Sequence, residues 1–174
     1  MIFISTGIIS LPFSRLIDQI IKLYLNQPTT KIIIQSGSYK ISSPAKHIHI
    51  KPYFPLNTMI KHYQTAETVI SAAGEASIFL ILHYAKNKPI FIPRQKKFHE
   101  HIDNQQLIMA QYLKNHHLAH IVTDINQLNL SLKLKIQKNR KNKKIISSQA
   151  PNYLIQQLNI ITKSLPLLAP KKLS

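Results

Sequence analysis

Cysteine and tryptophan do not occur in this sequence, and glycine occurs only three times. Without cysteine there are no disulfides, zinc–thiolate sites, iron–sulfur clusters or thiol nucleophiles. So little glycine excludes collagen-like repeats and Gly-rich linkers, and it makes the place of each glycine informative. Acidic residues are scarce too: six Asp and Glu face 23 Lys and Arg, a net charge of +17. Long apolar runs are also missing. The nearest candidate, residues 76–85, is short and contains His83, well under the ~20 residues a membrane span needs. Residues 1–14 are apolar before Arg15 but lack the basic start of a secretory signal. The expected location is the cytoplasm, with any membrane association peripheral.

Hydrophobic residues make up 44% of the 174 positions, enough to exclude a disordered basic tail protein and to build one sizeable core. The positive charge is unevenly spread. Thirteen basic residues face all six acids in the first 132 positions, a net of +7. The other ten, with no acid, lie in 133–174. The expected organisation is therefore a globular domain over 1–132 and a basic, partly helical C-terminal tail over 133–174. The densest run, 133–144, suits an anionic surface: lipid head groups or nucleic acid. A solvated helix end explains the same run equally well.

Short apolar runs alternate with helical patterns along the first part. Residues 1–4 read as a strand that ends at Ser5-Thr6-Gly7. After Pro12, Leu16, Ile17, Ile20, Ile21 and Tyr24 recur at helical spacing. Further strands are expected at 31–35, around Ile48 and Ile50, and at 68–70, 89–93 and 120–122. Helices are expected at 56–66, 75–86 and 103–115, with Asp103 near a helix start and Asp124 capping a later one. Continuous apolar strands separated by helices predict a doubly wound, Rossmann-like parallel sheet of the α/β class. In that fold a ligand sits at the carboxyl ends of the strands. Gly7, Gly37 and Gly74 all fall just after expected strands, at that edge.

Two segments suggest chemistry. Val69-Ile70-Ser71-Ala72-Ala73-Gly74-Glu75-Ala76-Ser77 is a strand, a turn of small residues and a helix start. Small residues let the backbone approach a phosphate, and the helix N-terminus offers free N–H groups; a close-packed structural turn has the same appearance. With one glycine it is neither a Walker loop nor a dinucleotide fingerprint. His99-Glu100-His101-Ile102-Asp103-Asn104-Gln105-Gln106 groups imidazoles, carboxylates and amides suited to sugar hydroxyls. His101 and Glu100 are candidate acids or bases. His99 and His101 lack the i, i+4 spacing of helical metal ligands, so no metal is assigned.

The order of these features resembles glycosyltransferase family 28, in its C-terminal, nucleotide-sugar-binding half. It is most similar to the stand-alone donor subunits of split bacterial exopolysaccharide and N-glycan-type transferases. The resemblance rests on residues 1–4 with Gly7, Pro12-Phe13 with Arg15-Leu16, and Ile34-Gln35 with Gly37. It continues through Val69-Ile70-Ser71 to Gly74, Ser77-Ile78, Lys88-Pro89, Pro93-Arg94, and Glu100-His101 with Asp103-Asn104-Gln105. It spans roughly residues 1–122.

The resemblance implies one half of a GT-B glycosyltransferase, without a metal or other cofactor. A membrane-anchored acceptor-binding glycosyltransferase subunit would be the partner, and a UDP-sugar the donor. An inverting transfer to a lipid-linked or polysaccharide acceptor follows. It places Gly7 at the inter-subunit cleft and the turn at Gly74 and Ser77 on the diphosphate, with His101, Asp103, Gln105 and Gln106 on the donor sugar side. It assigns no catalytic residue to this chain. The run 133–144 would then face anionic lipid at the inner surface of the cell membrane. Four positions depart from the family pattern: Ala72 stands for a histidine, Ala76 for a glycine and Leu80 for a ribose-binding acid, while Glu75 adds negative charge. They point to a second reading, a non-catalytic subunit that binds a partner on the same fold. A nucleic-acid role rests on charge alone. Only 7% of residues are aromatic, none falls within 133–144, and no RNA-binding signature is present.

Overall fold

β-Branched runs without intervening charge become strands buried on both faces. A computed structural model describes residues 1–133. It contains β1 (Ile2–Ser5), α1 (Ser14–Tyr24), β2 (Ile32–Gln35), β3 (Ile48–Lys51) and α2 (Leu56–Thr65). There follow β4 (Thr68–Ala72), α3 (Glu75–Tyr84), β5 (Ile90–Ile92), α4 (Gln105–Asn115) and β6 (His120–Ile121). The six strands form one sheet in the order β3-β2-β1-β4-β5-β6, and every pairing is parallel. This is the doubly wound, Rossmann-like α/β arrangement expected from the sequence. The basic tail lies outside the described residues apart from Lys133.

Because side chains alternate across a strand, each of the four central strands serves two cores, while the edge strand β3 turns His49 and Lys51 to solvent. Ile2 and Ile4 of β1, with Ile32, Ile34, Ile70, Ile90 and Ile92, pack under Leu16, Ile17 and Ile20 of α1. Phe3, Ile33, Val69 and Phe91 face the opposite way, onto Met59 and Tyr63 of α2, Ile78 and Ile81 of α3, and Met109 and Leu113 of α4. Parallel sheets need this double cover, since neither face is polar enough for water. The spacing of apolar residues in α1 thus serves one core layer, and three helices share the other.

Element ends differ from expectation by at most two residues, for local reasons. β4 runs on through Ser71 and Ala72, where the Ser71 hydroxyl donates to the Ser5 carbonyl at 3.0 Å and extends the pairing with β1. α4 begins at Gln105 rather than Asp103. There the Asp103 carboxylate accepts from Gln105 N at 2.9 Å, a local turn that satisfies a first-turn amide before the helix proper. Asp124 caps as expected, accepting from Asn126 N at 3.0 Å, but what it caps is a 3-10 turn, Ile125–Gln127.

Candidate functional site

The chain winds outward from β1 through β2 to β3, then crosses back to β4 and proceeds to β6. The crevice between the carboxyl ends of β1 and β4 is the switch point at which such sheets bind ligands. Two of the three glycines flank it. Gly7 follows β1 and Gly74 follows β4, each two residues beyond its strand. Gly7 has φ +82° and Gly37 has φ +60°, a region costly for residues with a Cβ. Gly37 also lies against the neighbouring loop: a Cβ there would sit 3.0 Å from both the Gly7 carbonyl and Thr6 Oγ1. Gly74 is different. Its φ of −76° is open to any residue, and it serves as the N-cap of α3.

The start of α4 reaches the same edge. Gln106 is buried, its Oε1 accepting from Arg94 N at 3.0 Å. Its Nε2 lies 3.8 Å from where a Cβ on Gly74 would stand, so the Gly74 turn and the first turn of α4 are neighbours. His101 Nδ1 is 2.8 Å from Asp103 Oδ1, and Gln105 is exposed beside them. Ser77 sits, half-buried, in the first turn of α3 behind exposed Glu75 and Ala76. Gly74 and Gln106 therefore lie side by side, and His101, Asp103 and Gln105 form a second group on the same loop and helix start. Gly7 joins them through a residue to which the sequence reading gave no role.

That residue is Arg94. It is 1% exposed and the largest fully buried side chain among the described residues. Nη2 donates to the Thr6 carbonyl at 2.7 Å, and Nη1 to the carbonyls of Leu11 at 2.8 Å, Glu100 at 3.0 Å and Pro12 at 3.3 Å. The guanidinium carbon lies 4.6 Å from the centre of the Phe13 ring. Burial pushes its pKa down to about 10, and Glu100 opposes the shift; the group stays charged at neutral pH.

Glu100, offered by the sequence as a candidate acid or base, is 3% exposed and fully engaged. Its carboxylate takes a two-pronged pair from Arg15, Nε at 2.7 Å and Nη2 at 2.8 Å, and also accepts from Gln95 N at 3.1 Å. Arg15 stacks 4.6 Å from the Phe98 ring centre. A carboxylate committed to three donors is a poor proton shuttle, so its geometry is that of a brace. The only hint of this in the sequence was the presence of Arg15, Arg94 and Glu100 within otherwise apolar or loop segments. No spacing rule links positions 15, 94 and 100.

A model of the glycosyltransferase family 28 C-terminal domain matches residues 1–162. The chain belongs to that family. The match extends beyond residue 122, where the resemblance read from individual motifs ended. A comparison with curated proteins finds no match. Membership makes the chain a glycosyltransferase donor-binding domain. Among the described residues, no group of three or more His, Asp or Glu side chains is placed to hold a metal ion. No described helix is long and apolar enough to cross a membrane. A separate open groove of about 640 Å³, lined by residues 36–42 with Pro52 and Tyr53, lies beyond Gly37. None of the donor residues named from sequence lines it.

Proposed function

We propose that this chain is the donor-binding subunit of a two-component inverting glycosyltransferase that moves a sugar from a UDP-sugar to a lipid-linked or polysaccharide acceptor. The observation that carries the reading is the closeness of buried Gln106, held by Arg94 N, to the Gly74 turn at the switch point. It puts a helix N-terminus suited to phosphate beside a helix start rich in amides and carboxylate. In this reading the diphosphate lies against the first turn of α3 near Gly74 and Ser77. Phosphate stabilisation there helps the nucleotide depart. His101, Asp103 and Gln105 face the sugar. Gln106 contributes through its remaining amide hydrogens, since its oxygen already serves Arg94 N. Gly7 borders the side from which an acceptor arrives. A membrane-anchored acceptor-binding subunit supplies the other half of the site and the catalytic base. The basic run 133–144 adds attraction to anionic lipid of about 1 kcal/mol per near-surface charge.

The test is co-expression with a candidate membrane partner, followed by transfer of labelled sugar from UDP-sugar to membranes, with calorimetry of UDP on the chain alone. Transfer that requires both chains supports the reading. No transfer and no UDP binding remove it. A second reading, a partner-binding subunit without catalysis, is favoured by exposed Glu75 at the first position of α3 and by apolar Leu80 one turn further on. It predicts a complex with the membrane partner that forms equally well without nucleotide.

A further inference from the structure

Burying a guanidinium is costly unless every donor finds an acceptor, and an apolar side chain of similar size fills the same volume more cheaply. What Arg94 holds is therefore the guide to why it is there. Its four carbonyl partners all lie outside helices and strands: Thr6, Leu11 and Pro12 in the β1–α1 loop, and Glu100 in the β5–α4 loop. Its backbone N–H adds a fifth link, to Gln106 on α4. Carbonyls of irregular loops have no ladder to satisfy them, so a rigid fork with several donors can tie two loops at fixed separation. A lysine ammonium, one point charge on a flexible stem, does not span the same four oxygens.

We infer that Arg94 is a positioning residue of the donor site. It sets the distance between the Gly7 loop and the start of α4 and, through Gln106, the seat of the Gly74 turn. At 1% exposure with its terminal nitrogens spent on carbonyls, it touches no ligand itself. Glu100 acts beside it by pinning Arg15 of α1 and Gln95 N, so that the base of α1 and the β5–α4 loop move as one body. The inference rests on the donor-site reading for its consequence in binding. Its geometric content stands without that reading.

The experiment uses the full chain with Arg94→Lys, and with Arg94→Ala in the absence and presence of millimolar guanidinium. Hydrogen exchange is followed by residue and UDP affinity by calorimetry. The expected result for Arg94→Lys is a folded protein with faster exchange confined to residues 6–12 and 95–106, while α2 and β3 are unchanged. UDP affinity falls at least about tenfold, since small displacements of binding groups cost that much. Guanidinium restores both in Arg94→Ala, because the cavity left behind has its shape and its acceptors. Uniformly faster exchange, or global unfolding of Arg94→Lys, overturns the inference in favour of a purely stabilising role. Loosened loops with UDP affinity within about twofold of wild type overturn it as well. If the wild-type chain binds no UDP, the donor reading fails by itself. Exchange then decides alone: selective loosening upholds the positional role and uniform loosening ends it.

Discussion

Replacing Glu100 by alanine withdraws one carboxylate from three donors, and its cost follows from the geometry. Oε1 holds Arg15 Nε at 2.7 Å; Oε2 holds Arg15 Nη2 at 2.8 Å and Gln95 N at 3.1 Å. Breaking a fully buried ion pair costs about 3–5 kcal/mol, because the stranded charge keeps its desolvation penalty. Here the Arg15 side chain retains 15% exposure against 4% for Glu100, so the freed guanidinium regains some water. The expected loss is therefore at the lower end, about 3 kcal/mol, or about 6–12 °C in Tm for a chain of this size. Arg15→Met strands the more buried partner, which keeps only the Gln95 N–H, and costs more, about 4 kcal/mol, whereas the double variant removes both charges together. A double-mutant cycle by urea unfolding, with m unchanged, should return a coupling of about 2 kcal/mol. The coupling should also resist added salt, since water barely enters between the groups. A value below about 0.5 kcal/mol would place the pair with ordinary surface salt bridges and refute the brace.

Gly37→Ala should cost about 2 kcal/mol and Gly7→Ala about 1 kcal/mol. Both have positive φ, but only at Gly37 does a Cβ meet the Gly7 carbonyl and Thr6 Oγ1 at 3.0 Å; equal losses in thermal unfolding would contradict that difference. Burial pushes the Tyr63 phenol up to about 12. Its folded pKa therefore exceeds its unfolded value, so its contribution is complete below pH ~10 and is lost as pH rises towards 12. Arg94, lowered to about 10, acts with the opposite sign in that window. Tyr63→Phe isolates the phenol: its stability relative to wild type should improve by about 2–3 kcal/mol across the window, read by urea unfolding at stepped alkaline pH. Glu75→Gln should lower stability by about 0.5 kcal/mol, by removing a favourable charge at the start of α3, while strengthening UDP binding severalfold. Leu80→Glu should raise UDP affinity about tenfold through new ribose hydrogen bonds. Calorimetry reads both, and no change in either variant would move the nucleotide away from α3.

The central strands were legible because each is a short apolar run, rich in β-branched residues and closed by small or polar ones. Isoleucine triplets such as Ile32-Ile33-Ile34 cannot satisfy one core and water together, so they announce burial on both faces. The glycines were legible as an edge for a related reason: a strand that turns sharply at its carboxyl end favours a residue free to take positive φ, as Gly7 and Gly37 do. Helix starts were less exact. Asp103 carries the expected carboxylate, but it serves a turn ahead of α4 rather than the helix itself. The grouping of residues 99–106 was visible as composition, while the division of labour inside it was not. Glu100 and His101 are neighbours in sequence. One is buried against Arg15, and the other pairs with Asp103 nearer the surface.

Local pattern thus determined the class of fold, since each strand and helix depends on neighbours a few residues apart, and the order of short motifs along residues 1–122 pointed to the family. Only the tertiary structure decided that Arg15, Arg94 and Glu100 form one network, and that Gln106 sits between Arg94 and Gly74. Those contacts join residues up to 88 positions apart. Their existence depends on strand order, which no local propensity encodes. A charge buried in this way leaves no periodic trace in a sequence, because its partners are mostly backbone carbonyls that every residue possesses.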